Sequence, residues 1–277
     1  MKEVSLLDML KSGVHFGHQT SKWHPKMKPY IFSARNGVHI INLEISAAKL
    51  QEAVEYVTKL VADGEQILFL GTKRQAKPII IKHAKEAGMP YIADKWLGGT
   101  FTNFKNIFKL VSRLKDLRGK FQSGEIKKYS KKERSVYQSE MEKLERLVGG
   151  IENMSKLPAA IFIIDTKEER TAVREARKKG IPIIAIADTN IDPNQIDYPM
   201  PGNDDATKSI ELFTSAIAEA VKDSQTKKET KPAPSSKKET EAEPKKSEVK
   251  VKEDLRENIA SIEEEEKEVT ASQALKS

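Results

Sequence analysis

What most constrains the fold of this chain is a series of short apolar runs with helix-period segments between them. Val38–Leu43, Ile67–Leu70, Tyr91–Ala93, Ala160–Asp165 and Ile183–Ala187 read as strands. They are short, largely apolar and unalternating, the pattern of a strand covered on both faces. Between the first two lies Ser46–Ala62, with Ala47, Leu50, Val54, Val57 and Val61 spaced three and four apart and Gly64 to close it. That spacing is the period of a helix with one buried face. Gln75–Ala87 and Glu168–Lys179 read as helices ended by Gly88 and Gly180, and Ser5–Leu10 as a short helix capped by Ser5. The last helix is Asp205–Val221, with Ile210, Phe213, Ile217 and Val221 on one side. Strands that alternate with helices predict an α/β fold: a parallel sheet of five strands with helices on both faces.

Residues 103–151 interrupt that rhythm. Phe104, Ile107, Val111 and Leu114 form one stripe, and Tyr137, Met141, Leu144, Val148 and Ile151 another. Two such stripes joined by a polar stretch predict an inserted antiparallel coiled-coil hairpin. Its joining stretch, residues 119–134, holds Lys120, Lys127, Lys128, Lys131, Lys132 and Arg134. Residues 225–277 contain no aromatic residue and no glycine. Such a segment buries too little apolar surface to offset its ordering entropy, so it reads as a disordered charged tail. The expected division is 1–37, a short helix and a basic aromatic loop; 38–102 and 152–224, the sheet domain; 103–151, the hairpin; and 225–277, the tail.

Charge is unevenly placed. Residues 9–43 hold no Asp or Glu, yet contain Lys11, Lys22, Lys26, Lys28, Arg35 and four of the five histidines. Phe16, Trp23, Tyr30 and Phe32 are interleaved with them. Cations take phosphates, rings take base or sugar faces, and carboxylates would repel the polyanion. The hairpin segment is the second basic element, with a net charge of +7 over residues 103–150. Two basic elements on a slightly acidic body point to a nucleic-acid partner, against the plainer reading that they are solvated surfaces. The chain has no cysteine, which removes disulfide frameworks and thiolate metal sites. Neither a signal-peptide core nor a bilayer-length apolar run is read in it, so a soluble intracellular protein with no membrane partner is expected.

Several constellations admit two readings. Three strands end in Gly71-Thr72-Lys73, Asp165-Thr166-Lys167 and Asp188-Thr189-Asn190. In an open parallel sheet ligands bind at that edge, so Thr72, Thr166 and Thr189 define the crevice of a rival reading, an enzyme acting on a phosphorylated small molecule. The same residues also serve as ordinary caps, and no Walker loop is present. His15, His18 and His24 match no strong metal spacing, so no metal and no cofactor are expected. Trp96-Leu97-Gly98-Gly99-Thr100-Phe101-Thr102-Asn103 reads either as a stacking loop or as a core tryptophan beside a helix entry. A further rival is an adaptor that recruits proteins through its charged tail.

The run Gly13-Val14-His15-Phe16-Gly17-His18-Gln19-Thr20, followed by Trp23, Pro25–Ile31 and Ala34–Leu43, resembles the N-terminal signature of the small-subunit ribosomal protein S-two family in its bacterial form. Trp96–Thr100, Asp192-Pro193, Ile196–Pro199 and Pro201–Ala206 are similar to further family motifs, and the likeness spans nearly all of 1–222. The resemblance implies a flavodoxin-like five-stranded sheet with a coiled-coil arm. It implies a structural, non-catalytic constituent of the small ribosomal subunit, bound to small-subunit rRNA on the cytoplasmic ribosome. Its partners would be neighbouring small-subunit ribosomal proteins, including the large mRNA-binding one, with no small-molecule substrate. The residues expected to touch RNA are Lys22, Trp23, Lys26, Lys28 and Arg35 in the loop, Lys95, Asn103 and Lys105 at the hairpin root, and Lys127, Lys128, Lys131 and Lys132 at its tip.

Overall fold

The computed structural model describes residues 4–229. Five strands form the parallel sheet: β4 (Ile67–Leu70), β5 (Tyr91–Ile92), β6 (Ala160–Ile163), β7 (Ile183–Ala187) and β8 (Tyr198–Pro201), in the order β5-β4-β6-β7-β8. That is the flavodoxin-like order, and its direction switches between β4 and β6. All four pairings are parallel. Because successive side chains point to opposite faces, each strand feeds two cores. Ile67, Phe69, Phe162, Ile184 and Ile186 belong to one apolar cluster, and Leu68, Leu70, Ile161, Ile163, Ile183 and Ala185 to the other.

The first cluster is completed by α2 (Leu43–Ala62), α3 (Lys77–Glu86) and α7 (Thr207–Glu229), and the second by α4 (Phe104–Gln122), α5 (Lys131–Val148) and α6 (Arg170–Lys179). Helices α4 and α5 lie within the predicted insertion and pack on one another. Their inward residues Ile107, Val111, Leu114, Leu117, Leu144 and Val148 are buried and continuous with the sheet's second core. Arg113 holds Glu140 through two hydrogen bonds of 2.8 and 2.9 Å, and Arg118 pairs with Glu145 and Glu152. Among the described residues, no helix is long and apolar enough to cross a membrane.

One strand falls in a different sheet from the one predicted. Val38–Leu43 does not join the parallel sheet, whose fifth strand is instead β8. Residues Val38–Ile41 form β3, the middle of a separate antiparallel sheet with β1 (Phe16–Gln19) and β2 (Ile31–Arg35). The turn between β2 and β3 decides this. Asn36 and Gly37 have φ of +52° and +74°. Two left-handed residues between strands make the tight hairpin turn that returns β3 along β2. Much of the expected loop is therefore sheet, and the boundary at residue 37 cuts a hairpin.

The predicted tail also begins too early. Residues 225–229 complete α7, whose end is held by Lys222 on Glu86 at 2.8 Å and by the Gln225 side chain donating to the Ala87 carbonyl at 3.1 Å. The rest of the 225–277 segment lies outside the described residues.

Candidate nucleic-acid interface and the strand-end crevice

The small antiparallel sheet ties the N-terminal window to the carboxyl edge of the large one. Its pairing slips by one residue between Phe16 and Gln19, so two residues of β1 face one of β3. Such a bulge re-aims side chains. Gly17 there lies so close to Thr189 that a Cβ would stand 2.6 Å from Thr189 Cγ2. This approach lets the His18 backbone N–H donate to Thr189 Oγ1 at 2.9 Å and brings the His18 ring to Asp188, Nδ1 to Oδ1 3.1 Å. His24 N–H donates to the Thr189 carbonyl at 2.7 Å, and Lys26 reaches Asp192 at 2.7 Å.

Below these contacts the crevice pairs opposite charges, with carboxylates in excess. The Lys73 ammonium lies 2.7 Å from Asp165, 2.8 Å from Asp204 and 2.8 Å from Asp205. Burial works against its charge, but the three carboxylates outweigh burial and hold the ammonium above its ordinary pKa. Asp204 is fully buried, and its Oδ2 has no hydrogen-bond partner. Burial, with Asp165 and Asp188 close by, pushes its pKa up to about 7. His18 is raised by its hydrogen bond to Asp188. Thr72 donates to Glu169 at 2.5 Å, and Thr189 is bonded to Asp188. His18, Asp188 and Asp204 bring donor atoms within 4.8 Å of one another, the beginnings of a cation cradle. Of His15, His18 and His24, whose spacing matches no strong metal pattern, His18 alone belongs to this group. The His15 ring lies tilted against Phe16, centroids 4.0 Å apart, and His24 accepts from the Lys26 N–H. The strand-end runs contain Asp165 and Asp188, but their meeting with His18 and Asp204 is not legible in the sequence, because β7 and the turn after β8 deliver Asp188 and Asp204 from far along the chain.

The Trp96 loop is structural. Trp96 is buried, and Glu175 of α6 accepts from Trp96 Nε1 at 3.3 Å, from the backbone N–H groups of Gly99, Phe101 and Thr102 at 2.7, 2.9 and 3.1 Å, and from Thr102 Oγ1 at 3.2 Å. Burial alone would raise the Glu175 pKa, but these donors outweigh it and hold the carboxylate ionised. Of the two readings of this motif, the core tryptophan is the one the geometry bears out.

Outside the crevice the cations stand differently. Lys22, Lys28, Arg35, Lys95, Lys105, Lys127, Lys128, Lys131 and Lys132 are exposed, and none is in an ion pair among the described residues. Asn103 is exposed at the start of α4 and makes no side-chain cap bond. Lys26, by contrast, is engaged by Asp192. Trp23 is half-buried and packs on His39 at 5.1 Å. The freely presented rings are Phe16, 50% exposed, and Phe32, 74% exposed. Phe32 stands at a second bulge, between the pairs Ile31–Ile41 and Ser33–Ile40, which turns its side chain outward. Sequence reasoning saw both phenylalanines in the window but picked Trp23 as its ring contact. Period-two exposure within β2, broken by a bulge, was not legible.

Known proteins bear on this arrangement directly. A family profile described as ribosomal protein S2 matches residues 9–224. A small ribosomal subunit protein uS2 from Acidothermus cellulolyticus is 51% identical over 222 residues, covering 80% of this chain and 81% of the relative. Proteins of the same description from Chloroherpeton thalassium and Desulfovibrio desulfuricans are 51% and 52% identical, covering 80% and 79% of this chain and 89% and 85% of theirs. The match takes in the small sheet, the crevice and the paired helices alike, and the chain belongs to the ribosomal protein S2 family, structural and non-catalytic components of the small ribosomal subunit.

Proposed function

We propose that this chain binds small-subunit rRNA through its unpaired cations and exposed rings, and supports assembly of the subunit in the cytoplasm. One observation carries the reading: buried charges are paired or hydrogen-bonded within the fold, whereas Lys22, Lys28 and Arg35 of the acid-free window are exposed and in no ion pair among the described residues. Lys22, Lys28 and Arg35 would take phosphates, with Phe16 and Phe32 available to base or sugar faces. Lys26 and Trp23, already engaged in the fold, would hold the loop in shape and contribute less. Lys95, Asn103 and Lys105 would continue the contact at the root of α4. The pair α4–α5 would act as a coiled-coil arm, with Lys127, Lys128, Lys131 and Lys132 at its tip. Neighbouring small-subunit proteins, the large mRNA-binding one among them, would complete the partners.

The rival reading of a phosphate-binding enzyme is opposed by the crevice itself. Asp165, Asp188, Asp204 and Asp205 gather there against Lys73 and His18, a potential that repels phosphate. A groove of about 630 Å³ lies elsewhere, among α2, α7 and the short N-terminal helix α1 (Leu6–Lys11).

Sedimentation of a lysate at moderate salt tests the proposal. The protein should co-migrate with small subunits, and the Lys22→Glu, Lys28→Glu, Arg35→Glu triple variant should be depleted from them while remaining folded. A folded triple variant that fills subunits like wild type would remove the loop from the interface.

A further inference from the structure

Helix α6 carries cations that the fold leaves without a counter-charge, although the Arg170 Nε–H donates to the Lys167 carbonyl at 3.0 Å. Arg170, Arg174, Arg177, Lys178 and Lys179 are exposed on it, as is Lys167 in the turn before it. None of the six is in an ion pair among the described residues. The inward side of the helix, Ala172, Val173, Glu175 and Ala176, is buried. Arg170, Arg174, Arg177 and Lys178 follow at spacings of four, three and one, so they share the outward side.

Local physics disfavours part of this arrangement. Arg170 opens the helix, where the positive end of the helix dipole repels a cation, and the first turn has no acidic residue. Arg170 and Arg174, and then Arg174 and Lys178, are like charges four apart, which destabilises a helix. Only Arg177, Lys178 and Lys179 in the last turn gain from the dipole. Nearby carboxylates give no relief. Glu175 faces inward to the Trp96 loop, Glu169 is buried against Thr72, and Asp94 is held by Lys77 at 2.6 Å. Glu168, exposed in the preceding turn, is the remaining acid, and it has no ion pair with any of the six.

The chemistry of this side selects among partners. The exposed large apolar residues of the described chain are Leu6, Leu7, Leu10, Phe16, Phe32, Phe108 and Val136, and none lies on α6. A protein would find no apolar anchor there, and an unpaired base would find no ring to stack on. A phosphate backbone needs neither. Through Glu175 on its inward side, α6 is fixed against the loop that leads into α4, so the helix presenting these cations is held firmly to the body.

We infer that the outward side of α6 is a phosphate-binding ridge for double-helical RNA, distinct in chemistry from the ring-bearing N-terminal window; the inference rests on the rRNA-binding reading above. The test uses small subunits stripped of this protein and rebound with the full-length chain over a range of potassium chloride concentrations. Arg170→Ala with Arg174→Ala should bind more weakly and flatten the slope of log affinity against log salt by roughly 1.5, the release expected for two phosphates. Both alanines relieve like-charge repulsion, which offsets the exposed Arg170–Lys167 hydrogen bond that is lost, so circular dichroism and melting should show a folded protein with stability close to wild type. Wild-type binding with an unchanged affinity and slope in the variant would overturn the ridge alone. Failure of the wild type to bind would overturn the rRNA reading together with the ridge. Because the chain has no cysteine, Arg174→Cys can carry a single photoreactive group. Cross-links to rRNA support the ridge; cross-links only to a neighbouring protein, or none to RNA, overturn it.

Discussion

The strand-end crevice and the surface of the N-terminal window are joined at Gly17 and His18, yet they treat charge in opposite ways. In the crevice Lys73 meets three aspartates and His18 meets a fourth. On the surface Lys22, Lys28 and Arg35 meet no carboxylate. Taking a charge from water is costly unless it is paired, so a buried ion implies its counter-ion in the same fold. An exposed ion carries no such requirement, and where the surrounding sequence also excludes acids, the counter-ion comes from elsewhere. Two charged regions of one molecule are thereby distinguished: the first holds the two sheets together, and the second is the surface proposed above to meet RNA.

If this contrast is right, the largest effect comes from breaking the crevice. Lys73→Met should cost about 3 kcal/mol in urea denaturation, because the aspartates are left without their cation. A cost below about 1 kcal/mol would show that the cluster does not depend on Lys73. Next is Glu175→Gln, which leaves the donors of the Trp96 loop with a neutral acceptor and should cost about 1–3 kcal/mol. The folded Glu175 pKa is depressed, so its contribution is present above the ordinary value of 4.5 and is lost as pH falls through the folded value. Wild type should therefore lose stability in acid more steeply than the Gln variant.

The crevice titrates with the opposite sign. Asp204 is raised from 3.8 to about 7, so folding favours its proton, and that stability declines as pH climbs between those values. His18 is also raised, so its contribution is full below 6.5 and is lost as pH rises through its folded value. The melting temperature should be higher at pH 6 than at pH 8, by on the order of 3 °C. Asp204→Asn should reduce that difference, and an unaltered difference would place its origin elsewhere. Smallest for stability, and sharpest for the comparison, is Lys22→Ala with Lys28→Ala and Arg35→Ala. Unfolding should shift by less than about 0.5 kcal/mol per site, while retention on small subunits falls and becomes less sensitive to salt. A triple variant that lost stability but kept its retention would reverse the assignment of the two regions.

How much was legible follows from the range of each interaction. Ile67–Leu70, Ala160–Ile163 and Ile183–Ala187 announced the parallel sheet because a doubly buried strand has to be apolar at every position. The stripe from Leu50 to Val61 announced α2 for the same reason at helical period. Val38–Ile41 was placed in the wrong sheet, since an apolar run does not say which strand it pairs with; the Asn36-Gly37 turn does. The acid-free window was legible as a charge pattern. Which of its rings are free was not, because that depends on two bulges and on the packing of Trp23 against His39. The cations of α6 are hard to see in a charge count because Glu168, Glu169 and Glu175 among them offset half of their charge along the chain but not in space.

By itself, then, the amino-acid order determined the layers of this protein, the place of its cation-rich segments and, through long ordered motifs, its family. These are properties of neighbouring residues, set by hydrophobic period, turn chemistry and charge along the chain. Tertiary structure alone decided which charges are spent and which remain free. Lys73 and Asp204 are 131 residues apart, His18 and Asp188 are 170 apart, and Glu175 meets Phe101 across 74 residues. Electrostatic pairing acts over a few ångströms of space and is blind to sequence distance. Until the sheet brings its strand ends together, a lysine that anchors the fold and a lysine left without a counter-charge look the same.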